Sequence, residues 1–458
     1  MIQSLRILCF FIPAFLWNSQ AFCLESSHAE SLSDNQTIPE DSSSLWNKKD
    51  WSVHIQSTLV SQYHPPFRAN YSGMNSLAHV SETDHTTDAT IYLGRRLWHG
   101  AEIYFNEEVD QGFGLSNTIG LAGFSSGEAY KIGRGKRYFL GQRLFIRQTF
   151  DLGGVEESSS DDINQLASTH THDRLVLSLG KFSVVDLFDN NSYAHDPRQD
   201  FFNWSVIDAG AFDYAADAWG YTYGMAAEWT HQQWTMRYGL FDLSNVPNST
   251  VLDSGFHQIS NVVELEWRHQ LLGAPGVARL LGFDNHGRFG TYHDALALAE
   301  ASGTIPSTAN VRFEQNRPGA VLNLEQAITP DLGIFARASF NNGQIEAYDF
   351  TDINQSISVG LSLKGTPWER PQDNFGAAWV SNSISMAAQH YFSAGGMGIL
   401  IGDGRLNYAP EQIAEFYYSL SINDHWHISP DIQYIRNPAY NLDRGPVRVY
   451  GLRIHTSY

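Results

Sequence analysis

Cysteine is nearly absent from this chain. It has two, Cys9 and Cys23, both in its first 23 residues. A disulfide framework and a thiolate-held metal are therefore excluded from everything downstream, and a cysteine-free body suits passage through an oxidising compartment. Basic residues are also few: 29 Lys and Arg face 49 Asp and Glu, for a formal net charge of −20. Such a balance argues against nucleic acid, whose phosphates need a basic surface. Long apolar runs are missing after residue 17, so membrane-spanning helices are excluded. No long segment carries a convincing helical period.

The beginning has the features of an export signal. Arg6 supplies the positive start, and the apolar run 7–17 is too short to span a bilayer as a helix. Ala21 and Cys23 are the small side chains that place cleavage after Cys23. Residues 24–50 are polar, include Ser42-Ser43-Ser44, and read as a flexible leader. From residue 51 to 458 the pattern changes to a single β-rich body.

In that body apolar and polar residues alternate, as on the two faces of a strand. Trp51, Val53, Ile55 and Leu59 alternate with Ser52, His54, Gln56 and Thr58. Tyr221, Tyr223, Met225, Ala227 and Trp229 lead through His231-Gln232-Gln233 into Trp234, Met236, Tyr238 and Leu240, which predicts a hairpin. Similar runs contain Ile357 to Leu363, Phe416 to Ile422 and Ile428 to Tyr434. The chain closes on Tyr450, Leu452, Ile454, Thr456 and Tyr458, one face of a last strand. The other face of these segments is Gly, Ser, Thr and Asn with occasional Arg and Glu, which suits a water-filled lumen, while the greasy face meets lipid. Gly (38), Phe (27), Tyr (21) and Trp (12) fit a barrel with aromatic girdles. Roughly 25 residues are available for each of 16 strands with its connection, against about 9–11 needed to cross. The expectation is an all-β, transmembrane antiparallel barrel of the outer-membrane type, with 16 strands and 14 or 18 open as alternatives. Short turns lie on one side and long loops on the other.

One stretch breaks the alternation. From Gly180 and Lys181 it runs through Asp186, Asn191, Asp196, Arg198, Asn203 and Trp204 to Asp208 and Tyr214, dense in aromatic and polar residues. A loop of this kind can fold into the barrel and narrow the pore. The alternative is a compact external loop satisfied by its own hydrogen bonds. If the apolar residues of their strands face lipid, Arg143, Arg147 and Arg174 project inward, and Glu102 and Glu108 share the lumen face. Opposed charges across a narrow channel orient polar solutes, though they also serve as plain structural ion pairs. The candidate constriction set is therefore Glu102, Tyr104, Glu108, Arg143, Arg147, Arg174, Lys181, Asp186, Asn191, Asp196, Arg198, Asn203 and Trp204.

Other motifs carry less. Gly123-Phe124-Ser125-Ser126-Gly127 spells a nucleophile elbow, but the required helix does not follow, so the match reads as coincidence. Glu107 and Glu108 point to opposite faces and do not form a glycosidase pair. His170 and His172 share a strand face, a possible metal pair, yet no third ligand is fixed nearby and a solvated site fits better. No metal, cofactor or catalytic set is expected.

Several stretches carry a resemblance. Thr90 to Gly94, Leu97 to Glu102, Gly112 to Ser116, Ala122 to Phe124, Gly127 to Lys131, Gly180 to Trp204, Ala211 to Gly220, Ile435 to Asn441 and Arg444 to Pro446 resemble the carbohydrate-selective porin family (OprB-like). The likeness covers about residues 51–458 and leaves out the leader. It implies a 16-stranded outer-membrane barrel of a Gram-negative cell that passes sugars, chiefly monosaccharides such as glucose, down a gradient without catalysis. Implied partners are carbohydrate solutes, outer-membrane lipid and the barrel-assembly machinery, which would engage the strand ending in Tyr458; a homo-oligomer is possible. The alternatives are a general small-solute porin and, further off, an outer-membrane glycan or lipid hydrolase, which would need an acid–base or nucleophile cluster.

Overall fold

The period-two pattern produces strands whose burial is inverted relative to a water-soluble sheet. In Trp51–His64 (β1), Val53 and Ile55 are about half exposed, whereas Gln56 and Thr58 are buried. Apolar side chains on the outside and polar ones inside are what hydrocarbon around a barrel requires. The computed structural model describes residues 48–129, 133–271, 273–350 and 352–458. The expected signal, 1–23, and the leader up to residue 47 lie outside the described residues.

Fifteen further strands follow β1. They are Glu82–Trp98 (β2), Ala101–Gly112 (β3), Arg134–Ser159 (β4), Ser168–Phe182 (β5), Thr222–His231 (β6), Trp234–Asp242 (β7), Ile259–Leu271 (β8) and Ala274–Phe289 (β9). The second half comprises Phe313–Ala327 (β10), Leu332–Asn341 (β11), Gln355–Gly365 (β12), Arg370–Ser383 (β13), Glu411–Asn423 (β14), Trp426–Arg436 (β15) and Val447–Ser457 (β16). Each pairs antiparallel with its sequence neighbours, and β1 pairs with β16 to close the barrel. The closing register sets Gln56 opposite Ser457 and Tyr63 opposite Tyr450, whose rings stack at 6.3 Å. Closure leaves no unpaired sheet edge, the condition for crossing lipid with strands. The expected hairpin of 221–240 is β6 and β7.

Connections at the end bearing Tyr458 are short (99–100, 232–233, 272–273, 328–331, 366–369 and 424–425), except 160–167 between β4 and β5, a hairpin that turns inward so that Asn164 meets Asn106 on β3 at 2.8 Å. In barrels of this type that end faces the periplasm. Exposed Trp98, Trp234, Trp267, Trp368 and Trp426 sit beside these turns, and Tyr458 packs on His425 at 4.4 Å. They form the periplasmic aromatic girdle, with Tyr63, Tyr223, Phe340, Tyr434 and Tyr450 near the other rim.

The long loops carry the helices. Tyr292–Ser302 (α2, after the short Trp204–Ile207, α1) is capped by Thr291, whose hydroxyl accepts from Asp294 N, and ends at Gly303 with φ 67°. Met386–Ser393 (α3) starts at Ser385 in the same way. Neither helix was anticipated, because no long segment carries a helical period. Their apolar residues do not form one stripe, and the signal lay in the caps instead. No helix among the described residues is long and apolar enough to cross a membrane. The apolar core lies in the lumen, where Phe188, Phe212, Tyr292, Tyr348 and Tyr391 from inserted loops pack together.

Candidate functional site

The loop 183–221 (L3) folds into the barrel, and ion pairs and carbonyl contacts hold it against one half of the wall. Arg337 on β11 pairs with Asp189 at 3.2 Å and donates to the Val206 and Ala194 carbonyls at 2.8 Å each. Arg453 on β16 donates to the carbonyls of Pro197, Gln199 and Asp200 at 2.6–2.9 Å. Arg317 on β10 meets Asp213 at 2.6 Å, and Glu415 on β14 accepts from Phe202 N and Asn203 N. The loop 113–133 (L2) enters beside it; Gly123 N donates to Glu411 Oε1 at 2.7 Å. Lumen-facing charges on β10–β16 therefore hold loops, whereas the water-filled reading had them lining the pore.

What remains open runs along the opposite half. A cavity of about 650 Å³ lies between L3 and strands β1, β2 and β4. Phe124, Trp204, Phe350 and Tyr214 form one of its walls as a continuous stack, with successive ring centroids 5.1, 5.6 and 4.2 Å apart. Polar groups in its lining have fixed geometry. Arg143 binds Asp186 with two parallel bonds of 2.7 and 2.6 Å, and its guanidinium lies 5.1 Å from the Tyr221 ring. Arg198 meets three carboxylates from separate elements: Glu108 on β3 at 2.8 Å, Glu128 in L2 at 3.2 Å and Asp88 on β2 at 3.7 Å. Asp208 also lines it; burial, aided by Asp189 and opposed by Arg337, pushes its carboxyl up to about 7.

A second cavity of about 480 Å³ lies on the periplasmic side, walled by β3 to β8. Its charges are interleaved. Arg174 pairs with Glu157 at 3.0 Å, Arg237 with Glu228 at 2.8 Å, and Arg268 with Glu266 at 2.7 Å. Arg147 and Gln165 line both cavities and mark their junction.

With this geometry in view, comparison with known proteins decides the family. The model of the carbohydrate-selective porin, OprB family, matches residues 74–458. The chain belongs to this family. A solved structure of Pseudomonas putida OprB is similar with a TM-score of 0.67, at 16% identity, over 90% of this chain and 95% of that one. Porin AaxA of Chlamydia abortus is 21% identical over 316 residues, 67% of this chain. The chain spans about three fifths of the length of that curated relative, 60%. Family and fold place the chain among multi-pass outer-membrane barrels and among channels rather than enzymes.

Within this porin the expected constriction residues divide by position. Arg143, Asp186, Asp196, Arg198 and Trp204 line the upper cavity, Glu102 and Arg174 the lower one, and Arg147 both. Tyr104 lies beneath Arg147, 5.1 Å from ring to guanidinium, and donates to Glu102 at 2.6 Å. Glu108 is fully buried under Arg198. Lys181 donates to the Gly141 carbonyl at 3.0 Å, away from both cavities. Asn191 binds Asn323, and Asn203 caps α1 and reaches Gln433, so both hold L3 to the far wall. Phe350, Tyr92 and Tyr221 were absent from the candidate set; Phe350 sits in the loop 342–354, which carries no sequence signal. Ser125 Oγ donates to Gln62 at 2.8 Å, and the next regular element among the described residues after its loop is strand β4. His172 meets Glu157 at 2.6 Å and the Gln232 carbonyl at 2.7 Å. Among the described residues no cluster of three or more His, Cys, Asp or Glu could hold a metal.

Proposed function

We propose that the chain is a passive outer-membrane channel for carbohydrates, with L3 and the β2–β4 wall as its constriction. The carrying observation is the upper cavity. It sets a stiff aromatic wall beside fixed guanidinium and carboxylate groups. A sugar is itself two-natured: its C–H patches suit the ring surface, and its hydroxyls suit planar forks such as Arg143 and Arg198. Monosaccharides such as glucose match a cavity of this volume. Several paired charges keep the contact weak enough for release, which flux demands. The greasy outer face meets lipid, and the strand ending in Tyr458 is the segment offered to the assembly machinery.

In planar bilayers the purified protein is expected to conduct, and glucose is expected to reduce that conductance with concentration. Trp204→Ala breaks the aromatic stack and is expected to raise the half-blocking glucose concentration several-fold, about 1 kcal/mol of contact. Conductance without block would make it a general small-solute porin. No conductance would end the channel reading.

A further inference from the structure

Above the upper aromatic row the outer wall carries two arginines. Arg436 ends β15, and Arg448 stands at the start of β16. Both are exposed, and both fall on the outward face that Tyr434 and Tyr450 mark one step nearer the midplane. In the β15–β16 register Arg448 is opposite Tyr434, so Arg436 is its diagonal neighbour, about 7–8 Å off. Tyr63 on β1 is opposite Tyr450. Further down, Ile432, Leu452 and Leu59 are exposed on the same face. From rim to midplane the order is cations, tyrosines, then aliphatic side chains.

Neither arginine has an acid within ion-pair distance among the described residues. The Arg448 guanidinium also has no hydrogen bond there, and Arg436 has one long bond, 3.4 Å to Gln412 on β14. On the outward rows of β14, β15, β16 and β1 these are the only charged side chains among the described residues. Asp443, the acid of the adjoining loop 437–446, is taken up by the amides of Asn70 and Asn407 at 3.3 Å each. The rim on β9 and β10 is different. Arg288 stands opposite Glu314 there, and Asn316 joins His286 to Asp284.

We propose that Arg436 and Arg448 bind a phosphate on the head group of an outer-leaflet lipid, whose chains lie on the tyrosines and aliphatic residues beneath. The end away from Tyr458 bears the long loops and faces the cell exterior, so the arginines stand at head-group depth on that side. Like charges on neighbouring strands repel. A phosphate between two guanidinium forks replaces that repulsion with charge-assisted bonds. A free phosphate fits the forks but leaves the apolar rows below bare; a lipid phosphate covers both. Because the site is on the outer wall, the inference does not depend on what the channel passes.

Native mass spectrometry of the full protein in neutral detergent tests this, with bisphosphorylated lipid A as the probe. The wild type is expected to retain the lipid. Arg436→Gln combined with Arg448→Gln should weaken retention by at least about tenfold, the yield of one or more charge-assisted contacts. Removing both phosphates from the probe should do the same to the wild type. Arg288→Gln, at the charge-balanced part of the rim, should leave retention unchanged, and excess inorganic phosphate should not displace the lipid. Unaltered single-channel conductance shows that the double variant has assembled, since both side chains lie outside the lumen; if it has not, the dephosphorylated probe on the wild type decides. Failure of the wild type to hold lipid A, undiminished retention by the assembled double variant, equal retention of the dephosphorylated probe, equal loss in Arg288→Gln, or displacement by inorganic phosphate each overturns the inference.

Discussion

Asp208 lies at the end of α1, where Tyr214 Oη donates to it at 3.2 Å in the wall of the upper cavity. Burial raises its carboxyl to about 7, and Asp352 in the loop 342–354 is raised to about 7 for the same first reason. The sign follows from linkage. A carboxyl that binds its proton more tightly when folded supports the fold fully below its ordinary value near 4 and loses that support as pH climbs through about 7. Ionisation also adds a negative charge beside the passage. Cation-over-anion permeability is therefore expected to rise between about pH 6 and pH 8, and Asp208→Asn to flatten the rise. Reversal potentials in a salt gradient check this; a flat wild-type profile would refute it. At this scale the sequence revealed direction better than partnership. Alternation alone turned Arg143, Arg147 and Arg174 inward. It could not show that Arg143 meets Asp186, 43 residues on, while Arg147 has no acid within ion-pair distance among the described residues.

L3 is an element without regular structure, and it is ordered by what it touches. Arg337 gathers Asp189, Ala194 and Val206 at once. Removing one partner of a buried pair leaves the other charge uncompensated, at about 3–5 kcal/mol. Arg337→Ala is expected to release L3 from β11, giving larger and noisier single-channel steps, weaker glucose block and faster proteolysis near residues 189–206. Unchanged step size would show that L3 does not set the bore. The strands were legible because lipid and water enforce a period of two. The inward course of 180–214 was legible because its aromatic and polar density breaks that period. The wall it docks on was not, since Asn191–Asn323 and Arg453–Pro197 join residues more than a hundred positions apart. The inturned hairpin was hidden for another reason: 156–161, Glu-Glu-Ser-Ser-Ser-Asp, has the composition of an ordinary exposed turn.

At the largest scale, the barrel is a cylinder whose skin is apolar and whose filling is asymmetric. Leu280 projects from the middle of β9 with 60% exposure, on the face the barrel turns to lipid. Leu280→Arg is expected to cost about 2–4 kcal/mol near the midplane, whereas His293→Arg on the exposed start of α2 should change little. Urea unfolding from lipid vesicles measures both; equal, small effects would remove β9 from the hydrocarbon. The asymmetry has a consequence in time. L3 is held chiefly by strands that come after it in the chain, from β10 to β16. During export from amino to carboxyl end, the plug arrives before most of its moorings do. The growing sheet has to curl around a segment tied so far, among the strands, only to β2, β3 and β4, through Arg198 and Asp186, and the tube is sealed by the same late strand that pins it. Assembly and stoppering are one event.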